Sequence, residues 1–208
     1  MYLESKINQM LDSVRNELIG VHTYSHLIRT LNRVFKPERF MFKIKKRPYF
    51  SEHDLSVSGL YDIEQDLMII YLLVSKDYNH FEITKKSWKK IKFAISQTCQ
   101  HEAIHQHQWQ FKDYQPDKGL RTRYNFPDKN YREKIYLSDP DEIEAYAHDI
   151  AMEIKFFYPN RNSLEVLKHA GRFKKLWSYQ YYLHTFYDCN WDFIRSKLIK
   201  KTYKWLGA

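Results

Sequence analysis

His101, Glu102 and His105 stand in the order H-E-x-x-H. On an α-helix, positions i and i+4 lie one turn apart on one face, so both imidazoles can ligate one metal ion. The Glu102 carboxylate then sits beside the first ligand, within reach of a water held at that ion. Zinc is the ion such a donor pair suits, and hydrolysis by an activated water is the chemistry that follows. In a chain with ten histidines the three fixed residues would arise by accident about 0.03 times. The surroundings of the motif therefore decide its meaning.

The stretch from Ser87 to Gln110 contains neither Gly nor Pro, which permits one long helix. Trp88, Ile91, Ala94, Ile95, Thr98, His105 and Trp109 recur at three- and four-residue steps, an amphipathic period. Thr84 or Ser87 suits the N-cap. The motif falls in the second half of this helix, on or beside its apolar face. His107, two positions past His105, is expected at the surface.

A second segment offers further ligands. Ser138 or Asp139 reads as a helix cap, Pro140 suits the first turn, and the acidic residues that follow favour a helix N-terminus. Glu142, Ala145, Tyr146 and Asp149 share one face of that helix. The small side chain of Ala145 lets another helix approach closely. Glu142 comes 37 positions after His105, far enough for the chain to turn and bring this helix across the first. Glu144 and His148 are the other donors on the same segment, at different angles around the helix.

The pairing of H-E-x-x-H with a later E-x-x-A helix resembles the gluzincin zinc metallopeptidases, over roughly residues 57–157. The resemblance implies that His101, His105 and Glu142 are the zinc ligands and that Glu102 is the general base. It departs at Tyr146, where several gluzincin families carry Asp or Asn. The compact size is also similar to minigluzincin and SprT-like domains, phage and bacterial ones among them. SprT-like proteins use a third histidine, a role that would fall to His148. Asp149 is placed to accept a hydrogen bond from a ligand imidazole. Tyr146, His148, Tyr181, Tyr182 and His184 are candidate donors to a developing oxyanion.

The elements that must position these groups are also legible. Phe40–Lys45 alternates as a strand, and 57–62 and 67–74 read as a hairpin around Glu64-Gln65-Asp66. In such a sheet an edge strand can bind a peptide backbone in extended form, a role placed on this hairpin. Helical periodicity covers Leu3–Ile19, His26–Phe35, Ser163–Ala170, Phe173–Tyr187 and Trp191–Leu206, whereas Phe111–Lys134 reads as a long connection. The expectation is an α+β, zincin-like fold, a small sheet on a helical body. It spans 1–208 as one domain, with N-terminal helices in 1–36, sheet and metal-site helices in 40–157, and C-terminal helices in 158–208.

Composition fits that picture. Hydrophobic residues make up 43% of the chain and aromatic ones 17%, enough for a core without staples. Cys99 and Cys189 are far apart and outside any C-x-x-C, which reads as reduced thiols and a cytoplasmic setting. No apolar run reaches membrane-spanning length and no secretory leader is recognisable, so no membrane partner is expected. The expected partner is a peptide or protein substrate. The net charge of +9 is concentrated at Lys85–Lys92 and Lys197–Lys204, faces able to meet nucleic acid or an acidic partner. The alternative function is a non-catalytic zincin-fold protein that binds through those basic faces. The intact Glu102 favours an enzyme, because a binding scaffold has no chemical need of that carboxylate.

Overall fold

In a computed structural model, residues 2–52, 54–112, 128–187 and 191–207 are described. The fold is α+β, mostly helical, with two small sheets among the described residues. Two compact units divide it, Met1–His107 and Gln108–Ala208.

The first unit opens with helices α1 (Tyr2–Ser13) and α2 (Arg15–Leu18). Where periodicity alone predicts one helix over Leu3–Ile19, the chain breaks at Val14, whose backbone leaves the helical region. The apolar spacing survives the break, because Ile7, Leu11, Val14 and Leu18 are all buried. Gly20 (φ 126°) then starts a short strand, β1 (Gly20–Thr23). Helix α3 (Tyr24–Phe35) follows, capped where the Thr23 side chain accepts from the His26 N–H.

Three strands form the larger sheet, β2 (Phe40–Arg47), β3 (Leu55–Asp62) and β4 (Leu67–Ser75), in the order β2-β4-β3. β4 runs parallel to β2 and antiparallel to β3. Phe40, Phe42, Met68, Ile70, Leu72 and Val74 face the core at period two. The Asn32 carboxamide of α3 pairs with the backbone of Phe42, accepting its N–H at 2.7 Å and donating to its carbonyl at 3.1 Å. A fifth strand, β5 (His80–Ile83), pairs antiparallel with β1. Neither four-residue strand is distinguishable by pattern at that length.

The β3–β4 turn is tied down at Asp66, itself in a left-handed conformation (φ 47°). Its carboxylate accepts from Gln106 Nε2 at 2.8 Å, from the Tyr61 hydroxyl at 2.9 Å, and from Arg39. Gln106 first, then Tyr61 and Arg39, hold this carboxyl below its usual range. A depressed folded pKa means the contribution is complete above the unfolded value near pH 4 and lost as pH falls below it. Asp66→Asn should therefore lower Tm by about 2–4 °C at pH 7, for a loss of about 1 kcal/mol. The gap to wild type should close below about pH 4 in melts followed by circular dichroism. A gap that stays constant with pH would show that the ionised carboxylate contributes nothing.

Helix α4 (Lys85–Phe111) leaves β5 through a reciprocal cap. The Ser87 N–H donates to Thr84 Oγ1 at 3.0 Å and the Thr84 N–H to Ser87 Oγ at 2.9 Å. The expected single apolar stripe is too narrow a description of this helix. Phe93, Ser96, Cys99, Gln100 and Glu102 are buried as well as Trp88, Ile91 and Ile95, so its middle is enclosed on most sides.

Among the described residues, the second unit takes the last residues of α4 and then four helices. They are α5 (Lys129–Ser138), α6 (Pro140–Phe157), α7 (Ser163–Lys168) and α8 (Trp177–Thr185), with a 3₁₀ turn at Ala170–Arg172. A fifth, α9 (Trp191–Leu206), ends the chain. Helix α5 occupies part of the expected 111–134 connection, and residues 113–127 of that connection lie outside the described residues. Leu137, Ile143, Ala147, Ile150, Ile154, Leu176, Tyr182 and Leu198 build this unit's core. Glu153, 1% exposed, accepts from the Ser178 N–H at 3.1 Å and hydroxyl at 2.8 Å, pinning the start of α8 onto α6. Among the described residues, no helix is long and apolar enough to cross a membrane.

Candidate metal centre

Helix α4 presents His101 and His105 one turn apart with their rings 4.9 Å between centroids, inclined at 73°. His101 is buried and His105 half-buried, while His107 is exposed as expected. Glu102 is 6% exposed and lies against β3. A Cβ at Gly59 would stand 2.3 Å from Glu102 Oε1 and 2.5 Å from its Cγ, so only glycine leaves the carboxylate this position. Cys99, fully buried in the same helix, has its thiol pushed up first by burial and then by the charge of Glu102. It is an inert core thiol; Cys189 lies outside the described residues.

Helix α6 begins as its sequence predicts. Asp139 is the cap, accepting from the Asp141 N–H at 2.9 Å, and Pro140 takes the first turn. The end of α4 is fastened to this start. Gln108 Nε2 donates to the Asp141 carbonyl at 3.1 Å, and Lys112 Nζ meets the Asp141 carboxylate at 2.6 Å. Gln108 is three positions past His105, and Glu142 is the neighbour of Asp141. One donor atom from each of His101, His105 and Glu142 lies within 4.8 Å of the others, a group able to hold a metal ion. Two imidazoles and one carboxylate are a donor set that zinc accepts.

Of the other donors on α6, Glu144 is engaged elsewhere. Glu144 pairs with Lys201 and accepts from Trp205 Nε1 at 2.8 Å, joining α6 to α9. The His148 ring is buried edge-on to Trp205, 4.7 Å between centroids. Asp149 is 6% exposed, with Oδ1 4.0 Å from His148 Nδ1, so it is an interior carboxylate and not a solvated one. Neither His148 nor Asp149 joins the three-residue group.

The aromatic donors divide sharply. Tyr182 is wholly buried with its hydroxyl given to the Leu137 carbonyl at 3.0 Å, and His184 is exposed. Tyr146 packs its ring on Tyr181 and Tyr182, 5.9 and 5.3 Å between centroids. Tyr181 is 36% exposed and its hydroxyl donates to Glu133 of α5. Burial first, then Glu133 and the charge of Glu142, push the Tyr181 phenol well up, so it stays protonated.

Sequence reasoning missed three groups here. Gly59 was detectable, since an isolated glycine in a strand marks a close approach. Glu133 and Gln106 carry no such signal, because their partners are distant in sequence. No protein-family model, curated protein or solved structure matches this chain.

Proposed function

We propose that this chain is a zinc metallopeptidase of gluzincin type on a zincin-like fold, with His101, His105 and Glu142 as ligands and Glu102 as general base. The convergence of two imidazoles and one carboxylate within 4.8 Å carries this reading. A bound zinc ion would supply Lewis-acid chemistry, making water acidic near neutral pH and polarising a carbonyl. The remaining work belongs to the side chains. Glu102 takes a proton from the attacking water and delivers it to the leaving amine, so its carboxylate is restored at the end of the cycle. Burial against Gly59 holds that carboxylate in place and limits its contact with bulk water. Tyr181 already gives its one hydroxyl proton to Glu133, so it would serve a tetrahedral oxyanion only by leaving that partner. Among the described residues β3 is an edge strand, the position at which an extended peptide can add to a sheet.

Metal content tests the proposal directly. The purified chain should carry one zinc per molecule by elemental analysis, and His105→Ala should reduce this below about a tenth at equal zinc supply. Glu142→Gln should weaken zinc at least tenfold, while His148→Gln leaves it unchanged. Stoichiometric zinc in both His101→Ala and His105→Ala would overturn the assignment.

A further inference from the structure

Helix α9 holds five basic residues and one acidic residue. Its inner side carries Ile194, Leu198 and Thr202, all buried, and Lys201 is consumed by Glu144. What is left faces outward. Lys197, Lys200 and Lys204 are exposed and follow one another at steps of three and four, one stripe along the helix. Phe193, 63% exposed, stands at one end of the stripe, and Tyr203, 45% exposed, flanks the other. Lys197 Nζ lies 4.1 Å from the centre of the Phe193 ring. Among the described residues, no carboxylate pairs with Lys197, Lys200 or Lys204. Asp192, the helix's one acid, sits about 100° around the axis from Phe193.

The lysine cluster at the start of α4 is different. Lys92 is paired with Asp12 at 2.7 Å, and the one aromatic residue within that cluster, Trp88, is 4% exposed. It offers charge without a stacking surface.

We propose that the outward face of α9 binds single-stranded nucleic acid, its phosphates on Lys197, Lys200 and Lys204 and its bases on Phe193 and Tyr203. The spacing favours a single strand. At a rise of 1.5 Å per residue the three lysines sit about 4.5 and 6 Å apart along the axis. That exceeds the 3.4 Å repeat of a stacked strand and fits one whose bases are drawn apart onto aromatic rings. The face makes no use of the metal site, so the two readings stand or fall separately.

The test is fluorescence anisotropy with the full chain and a labelled oligothymidylate of about 16 nucleotides, titrated at several salt concentrations. The triple variant Lys197→Gln/Lys200→Gln/Lys204→Gln should bind at least tenfold more weakly. Its plot of log K against log salt should be shallower by about 2, the release expected for three phosphate contacts. Phe193→Ala should weaken binding several-fold and leave the slope unchanged. Lys85→Gln/Lys86→Gln/Lys90→Gln, equal in charge change, should bind within about twofold of wild type. All of these side chains are exposed, and matching thermal melts check that the variants are folded. Absence of wild-type binding at about 50 mM salt would overturn the proposal, as would a triple variant with the wild-type slope. Equal competition by a duplex or by polyglutamate would also overturn it, assigning the stripe to acidic surfaces in general.

Discussion

Glu102→Gln is expected to retain one zinc per chain and to lower kcat for peptide hydrolysis by about 10²–10⁴. The amide has nearly the shape of the carboxylate, so it fits the space that Gly59 leaves and should not disturb the helix. His101 and His105 keep their rings at the same spacing, because their helix is unchanged. What disappears is proton acceptance, since an amide oxygen is far too weak a base. The loss should therefore fall on kcat, with KM within a few-fold of wild type. Steady-state kinetics beside elemental analysis checks this. Activity within about tenfold of wild type, with zinc retained, would remove Glu102 from the role of base.

Gly59→Ala should produce much of the same loss without replacing any proposed catalytic group. The new methyl would collide with the Glu102 carboxylate and Cγ at 2.3–2.6 Å. The colliding atoms are the far end of a flexible side chain, so the carboxylate moves and the strand does not. A displacement of about 1 Å of a proton-transferring group costs on the order of 10² in rate. Stability should change little, since strand geometry accepts alanine and the unfolded chain loses freedom worth about 0.4–1 kcal/mol. The signature is thus a folded protein with full zinc content and a kcat lowered by about 10². Wild-type kcat in a folded, zinc-loaded Gly59→Ala protein would show that the close approach has no bearing on the reaction.

Periodicity located the long helix because twenty-seven residues without Gly or Pro leave few alternatives, and Asp139-Pro140 announced α6 by capping chemistry that acts locally. β2, β3 and β4 were legible from alternation and from the turn at Glu64-Gln65-Asp66. The features that escaped are those set by distant partners. Four-residue β1 and β5 exist because they pair with each other, not because either has a strong preference of its own. Glu144 and His148 look equivalent to Glu142 in sequence. Only the positions of Lys201 and Trp205, over fifty residues later, decide that they turn to α9. The enclosure of the middle of α4 was hidden for the same reason, since Ser96 and Gln100 are polar by type and only their distant neighbours bury them.

The Asn32 side chain has a consequence for the company this molecule keeps at high concentration. A sheet edge with unsatisfied amides recruits further strands, from another copy as readily as from any other chain. Asn32 stoppers one edge at Phe42, and Lys43, Lys45, Lys46 and Arg47 repel any strand that approaches beside it. Leu55–Asp62 on the opposite margin carries no lysine or arginine and contains a glycine. One flank of the sheet is therefore closed to additions, so fibre-like stacking through both flanks is blocked.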